Sequence, residues 1–402
     1  MTIDLIEGNA VVGQSGGPTA VINQSLVGLV EALRGAGAVK KVLGARNGVR
    51  GMVEERFVDL SDLSQDALER IATTPGAILG STRDKPDRTY CERIFTSLEK
   101  HNVRYFFYIG GNDSSDTCRI VNDLSNDAGY ELRCFHIPKT IDNDLMENDH
   151  TPGYPSAARF VAKAFMGDNQ DNRALPGVKI NVVMGRHAGF LTAASALARQ
   201  RDKDGPHLIY LPERPFDPKE FVADIDRVKS EQGRCLIAVS EGVRDRAGNY
   251  ISTLLSAFDE QDAHGNVQLS GTGALGDWLA NLVRTELTPK GGKPPRVRAD
   301  TFGYLQRSFP DPSPVDQQEA RTAGEKAGVV AMAGDFDGSI AIKRTSTIPY
   351  RAEFKVVDLS NVAAKTRTMP DEHISDSANN VTSAFIEYLR PLVGDLPKPA
   401  TL

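Results

Sequence analysis

One pattern constrains this chain more than any other. A short apolar run ends on a glycine- or acid-bearing turn, a helical pattern often follows, and strand-like runs with such turns recur at least five times in the first two-thirds. Ala10–Val12 leads into Gly13-Gln14-Ser15-Gly16-Gly17-Pro18, then Val21, Ile22, Leu26, Leu29, Val30 and Leu33 at helical spacing. Tyr105–Ile109 leads into Gly110-Gly111-Asn112-Asp113-Ser114, and Cys134–Ile137 into Pro138-Lys139-Thr140-Ile141-Asp142-Asn143-Asp144. Ile180–Met184 precedes Gly185-Arg186-His187-Ala188-Gly189 and an Ala-rich helix from Phe190 to Ala198, and Leu236–Val239 precedes Ser240-Glu241-Gly242. The alternation predicts an α/β fold of parallel sheets covered by helices. Near-continuous apolar strands fit sheets buried on both faces. Ligands of such folds bind beyond the carboxyl ends of the strands, where all five polar clusters fall.

At 402 residues the chain is long enough for two or three domains and a large core. Its 47 basic and 53 acidic side chains give a net charge of −6, which excludes a global positive field for duplex nucleic acid. Four cysteines lack CxxC spacing and read as free thiols of a reducing compartment. No apolar run approaches a membrane span, and the first residues lack a basic region followed by an apolar stretch. A cytoplasmic protein with no nucleic-acid or membrane partner is expected. Pro289–Pro295 and Phe309–Val315 read as a surface loop and a rigid connection.

The polar clusters carry the chemistry. Gly16-Gly17 fits either a phosphate loop at a helix N-terminus or a tight strand-to-helix turn. Gly271–Gly276 matches GxGxxG, but no convincing strand precedes it, so it reads as a helix-entry turn. Asn112 and Asp113 offer oxygens suited to Mg²⁺, or an Asx cap for the next helix. Asp142 and Asp144 stand two apart, so an extended segment would point both to one side, beside a phosphate-neutralising Lys139. Arg186 can grip a phosphate, Glu241 can hold sugar hydroxyls, and Arg298, Tyr304 and Arg307 form a further phosphate-binding cluster. Together they describe a cleft for a phosphorylated sugar and a second phosphate-bearing ligand.

The segments GQSGGPTAVIN, LGSTR, IGGNDSSDT, PKTIDND, MGRHAGF, SEG and GYLQR occur in this order between Gly13 and Asp316. In this the chain resembles the phosphofructokinase family. The resemblance implies two Rossmann-like α/β domains with the active site in the cleft between them. It implies Asp142 as general base for the 1-hydroxyl of fructose 6-phosphate, Asp144 assisting at the transferred phosphoryl group, and Thr140 contacting phosphate or substrate. Met184, Gly185, Arg186, Glu241, Arg298, Tyr304 and Arg307 match the sugar-phosphate segments. Gly16, Gly17, Arg83, Gly111, Asn112, Asp113 and Ser114, with Lys139, match the donor segments. Mg²⁺ is the implied cofactor, with Asn112 and Asp142 as its ligands; many members carry an acid where Asn112 stands.

Two positions speak to the donor. ATP-using members usually carry glycine at 113 and at 139. An aspartate at 113 fills the α-phosphate space and repels that anion, and a lysine at 139 supplies charge to a donor that brings no adenosine contacts. Both match the pyrophosphate-dependent branch, whose reaction makes fructose 1,6-bisphosphate and phosphate reversibly. An ATP-dependent enzyme is the alternative; a silent sugar-phosphate-binding subunit is disfavoured by retention of both Asp142 and Asp144. Expected boundaries are a donor domain at 1–153, a fructose 6-phosphate domain at 154–305, and a segment at 306–402 returning to the first domain and the domain interface. The resemblance also implies a homodimer or homotetramer.

Overall fold

The computed structural model describes residues 5–255 and 273–400. Its strands, among the described residues, are β1 Gly8–Gln14, β2 Val39–Ala45, β3 Phe57–Asp59, β4 Val103–Gly110, β5 Arg133–Pro138, β6 Val178–Val183, β7 Leu208–Tyr210, β8 Cys235–Ser240, β9 Val297–Thr301, β10 Asp337–Thr347 and β11 Tyr350–Val357. The chain divides into two compact units. The first comprises Met1–Ile141, Leu145–Ser156 and Arg307–Thr366, and the second Asp142–Asp144, Ala157–Gln306 and Arg367–Leu402.

The first unit holds a seven-stranded sheet in the order β11-β10-β5-β4-β1-β2-β3. Its centre is parallel, while β2–β3 and β10–β11 pair antiparallel at the two edges. Side chains alternate between faces. Ala10, Val12, Tyr105, Phe107 and Phe135 pack with the helices Ile22–Leu33 and Pro314–Ala333, whereas Val11, Phe106, Tyr108 and Cys134 pack with Arg88–Lys100 and Asn112–Asp127. Burial on both faces accounts for the unbroken apolar runs. The edge strand β11 escapes that rule: exposed Arg351, Glu353 and Lys355 alternate with half-buried Tyr350, Ala352, Phe354 and Val356. Charges there blunt the edge against pairing with another chain.

The second unit is built on a four-stranded sheet, β7-β8-β6-β9, parallel throughout. Ile180, Val182, Ile237 and Val239 pack with Phe221 and Ile225 of helix Pro218–Gln232 and Leu279 and Val283 of helix Ala274–Glu286. The predicted helix from Phe190 to Ala198 is one α-turn, Phe190–Ala193, continued as a 3-10 turn Ala194–Ala198. Gly273, at φ +67, stands at the N-cap of helix Ala274–Glu286; the first two residues of that GxGxxG match lie outside the described residues. All four thiols are free and buried. Among the described residues no helix is long and apolar enough to cross a membrane.

A buried ionic cluster anchors the stretch that follows Asp144. His150 is fully buried between Asp149, 2.7 Å from Nδ1, and Glu319, 2.5 Å from Nε2; Tyr350 donates to Glu319, and Arg344 Nε donates to Asp149 at 3.2 Å. Burial alone would push the imidazole down, but hydrogen bonds and charges from the two carboxylates outweigh it and hold the pKa up at about 9. A histidine pKa raised in the folded state stabilises fully below its unfolded value, near 6.5, and loses that contribution as pH rises through about 9. Urea unfolding at pH 7 and pH 10 should therefore show a loss on the order of 3 kcal/mol. His150→Gln should largely flatten the difference; an unchanged pH dependence in that variant would assign it to other groups.

Candidate active site

Register puts three loops of the first unit side by side. Gln14 of β1 pairs with Ile109 of β4, and Gly110 of β4 with Pro138 of β5, so the turns after these strands leave from one edge. β5 lies two strands from β1, roughly 10 Å. Lys139 spans that gap: its Nζ donates to the carbonyl of Gly17 at 2.8 Å, and the residue is only 4% exposed. A buried ammonium is costly unless it is hydrogen-bonded, and this one is held against the glycine turn. Gly16 has φ +72, and a Cβ there would stand 3.1 Å from Lys139 Nζ, so a side chain would crowd the ammonium.

The same turn collects the LGSTR segment. The Gly16 N–H donates to the carbonyl of Thr82 at 2.9 Å, and Ser81 Oγ donates to the carbonyl of Gly16 at 2.6 Å. Arg83 beside them is exposed. Arg307 packs over Gly17, with Nε 2.9 Å from where a Cβ would lie. The sequence match places Arg307 among the sugar-phosphate segments; in the structure it belongs to the first unit and adjoins the donor turn.

The helix dipole is supplied at another turn than Gly16-Gly17. Four residues separate Gly17 from helix Ile22–Leu33, whereas Gly111 directly N-caps Asn112–Asp127. Asn112 and Asp113 are the first two residues of that helix, and Ser114 is buried in its first turn. Asp113 is exposed and its carboxylate lies 3.0 Å from Lys85 Nζ, a partner the motif reading did not single out. Both groups are about half exposed, so the pair offsets little of Asp113's charge. Asn112 Oδ1 accepts the N–H of Asp113 at 2.9 Å, and its Nδ2 donates to Thr366 Oγ1 at 3.0 Å.

The acid loop is not extended. The backbone bends at Ile141–Asp142, and Asn143 adopts φ +60, which asparagine tolerates better than most residues. Strand alternation therefore does not set the relation of Asp142 to Asp144; both are half-buried. Thr140, also half-buried, donates its N–H to the carbonyl of Pro152 at 3.2 Å and accepts from Thr151 Oγ1 at 3.0 Å, closing the loop at its base.

The second unit carries its own cluster. Val183 pairs with Ser240, so Met184 and Glu241 leave β6 and β8 together. The Ser240 hydroxyl donates to the carbonyl of Gly185 at 2.7 Å and accepts the Gly242 N–H at 3.0 Å, locking the MGR and SEG turns to each other. Gly185 has φ +126, and a Cβ there would lie 2.6 Å from the carbonyl oxygen of Ala188, so no other residue fits. Gln306 accepts the Met184 N–H at 3.3 Å, which brings the turn Gly303–Gln306, with half-exposed Tyr304, to the same sheet end. Glu241 is buried and Arg186 half-buried. Glu213 accepts the N–H groups of Gly189 (2.8 Å) and Met369 (3.0 Å); burial pushes its carboxyl up, and these two bonds oppose the rise.

Arg298 does not join this group within the chain. It pairs opposite Lys179 at the amino end of the sheet, five residues before Met184, or roughly 16 Å along the strand.

Ser240 and Gln306 sat inside motifs read for their neighbours, whereas Lys85, Glu213 and Thr366 carried no signal in the sequence. Among the described residues no group of three His, Cys, Asp or Glu side chains could hold a metal ion.

Known proteins resemble this chain over nearly its whole length. A protein of Rhodospirillum rubrum named pyrophosphate–fructose 6-phosphate 1-phosphotransferase is 57% identical over 97% of this chain and 95% of its own length. One of the same name from Halomonas elongata is 37% identical over 96% of this chain and 91% of its own. The crystal structure of a pyrophosphate-dependent phosphofructokinase from Marinobacter aquaeolei superposes with a TM-score of 0.84 at 33% identity, covering 98% of this chain and 93% of that one. The profile of the phosphofructokinase family matches residues 9–331, most of the chain, and with these relatives it establishes that the chain belongs to that family.

Proposed function

We infer that this enzyme is a pyrophosphate-dependent phosphofructokinase: it moves a phosphoryl group from pyrophosphate to the 1-hydroxyl of fructose 6-phosphate, giving fructose 1,6-bisphosphate and phosphate. The observation that carries the reading is the buried ammonium of Lys139, hydrogen-bonded into the Gly16-Gly17 turn. A fixed cation there suits a small, highly charged donor. The names of the relatives point to the same donor and acceptor.

In this reading the donor is bound by the first unit, through the Gly16-Gly17 turn, Arg83, Lys139 and the N–H groups at Gly111–Ser114. The second unit binds the sugar through Met184, Gly185, Arg186, Glu241 and Tyr304. Asp142 takes the proton of the 1-hydroxyl as the new P–O bond forms and the bridging P–O bond of pyrophosphate breaks, releasing phosphate, and Asp144 and Thr140 act at the reacting phosphoryl group. Phosphoryl transfer asks chiefly for such positioning and charge compensation. Mg²⁺ fits the donor set, because this ion is commonly held by one or two carboxylates with substrate phosphates and water rather than by an all-protein cage. Asp142 would be its protein ligand in this reading, with the Asn112 amide oxygen as a weaker second. When bound, the ion would neutralise charge on the donor. We place the enzyme in the cytoplasm as a homodimer or homotetramer.

Neutralising Arg186 as Arg186→Gln should raise the KM for fructose 6-phosphate roughly 10- to 150-fold, the scale of a lost charge-assisted bond, with the KM for pyrophosphate within about threefold. Arg307→Gln, altering a side chain that packs on Gly17, should raise both. Equal effects of Arg186→Gln on the two substrates would remove Arg186 from the sugar site. The reading as a whole is tested by assaying fructose 1,6-bisphosphate formation with Mg²⁺ and either pyrophosphate or ATP; turnover with ATP alone would overturn it.

A further inference from the structure

The stretch that braces the acid loop comes from beyond residue 331, where the match to the family profile ends. The Arg367 N–H donates to the carbonyl of Asp144 at 2.9 Å, and its Nε–H donates to the carbonyl of Asn143 at 2.7 Å. Its guanidinium carbon lies 4.9 Å from the centroid of Phe190, which opens the helix after the MGRHAG turn. Tyr388, on helix Ser383–Val393, accepts from Asn143 Nδ2 at 2.8 Å and packs its ring 6.2 Å from Phe190. Two residues beyond Arg367, Met369 is tied by its N–H to Glu213, which also holds Gly189. Arg367 is thus fixed on both sides: by stacking on Phe190, and by backbone bonds that flank it.

Asn143 sits at positive φ between the two acids. Positive φ is uncommon for a residue other than glycine, and rotation of this peptide would swing the carboxylates on either side. Among the bonds that oppose rotation are those from Arg367 to the carbonyls of Asn143 and Asp144, and that from Asn143 to Tyr388.

We propose that Arg367 is a positioning residue for phosphoryl transfer, clamping the Asn143 and Asp144 carbonyls so that the Asp142 and Asp144 carboxylates are held in their reactive orientation, with Tyr388 as its support. The proposal rests on the reading of Asp142 and Asp144 as reacting groups. Arg367→Met keeps the stem and the backbone bond but removes the Nε–H donor and the charge. A displacement of about 1 Å at a reacting group costs roughly 10²-fold, so kcat should fall on that scale while both KM values stay within about threefold. Arg367→Lys, which retains a donor able to reach the Asn143 carbonyl, should restore at least about tenfold of the loss.

Tyr388→Phe removes only the hydroxyl and should lower kcat roughly 2- to 13-fold, the worth of one hydrogen bond. Because the two variants act on one peptide, their combination should be less than multiplicative. Amide exchange of the peptide spanning residues 139–146 gives a readout independent of turnover: it should quicken in Arg367→Met at unchanged melting temperature. Unchanged exchange, or a folded Arg367→Met with wild-type kcat, would overturn the proposal. Should Arg367→Met fail to fold, Tyr388→Phe decides by the same two readouts. Wild-type protein without pyrophosphate-dependent turnover would defeat the functional reading, and exchange would still decide whether Arg367 clamps the loop.

Discussion

Lys139→Met is expected to lower pyrophosphate-dependent kcat by 10²- to 10³-fold, the cost of removing one preorganised electrostatic stabiliser, about 2.7–4 kcal/mol. Methionine keeps the length of the buried stem, so the loss would be of charge rather than of packing. The hydrogen bond to Gly17 also orients the turn, which means the KM for pyrophosphate should rise as well, while that for fructose 6-phosphate should not. Steady-state kinetics with each substrate varied in turn would separate these effects. Pyrophosphate kinetics unchanged in the variant would reduce Lys139 to a structural cation. Asp113→Gly is the companion change. Opening the space at the first turn of helix Asn112–Asp127, and freeing Lys85, should admit ATP weakly, since space alone does not create an adenine site.

Asp142→Asn should lower kcat at least 10²-fold, the scale of general-base catalysis, and leave fructose 6-phosphate binding nearly intact. Asparagine matches aspartate in shape, so the bend at Ile141–Asp142 and the Arg367 clamp have no reason to change. Calorimetric binding of fructose 6-phosphate beside single-turnover rates would divide binding from chemistry. Near-wild-type turnover would take the proton-accepting role away from Asp142.

Much of the fold could be read in the sequence, because buried parallel strands leave unbroken apolar runs and the turns after them carry glycine or acid. β1, β4, β5, β6 and β8 were all legible in this way. The β10–β11 hairpin was not: Arg351, Glu353 and Lys355 interrupt its apolar positions, and an edge strand needs only one covered face. The parallel sheet rule therefore described the centre of the first sheet and missed its edges.

The candidate site was legible where one motif supplies both backbone and side chain, as at Gly16-Gly17 and Met184-Gly185-Arg186. It was not legible where a residue acts across long separations. Arg367 meets Asn143 from 224 positions away and carries no local signature. The conformation of Asn143 was also hidden: two acids two apart suggest a strand, whereas the bonds from Asn143 to Tyr388 and from Arg367 to the Asn143 and Asp144 carbonyls hold the loop in a turn. Arg298 shows the converse, since closeness in sequence to Tyr304 concealed its position, within the chain, at the far end of β6 and β9.

The most direct test of donor choice is to follow the phosphorus. Purified protein would be mixed with Mg²⁺, fructose 6-phosphate and pyrophosphate, and the reaction read by ³¹P NMR, with ATP in place of pyrophosphate as the comparison. The account predicts that the pyrophosphate signal declines while one orthophosphate and one new sugar-1-phosphate ester appear in equal amounts, and that the ATP signals stay unchanged. Transfer from ATP with pyrophosphate untouched, or pyrophosphate cleaved to two orthophosphates with no new ester, would contradict it.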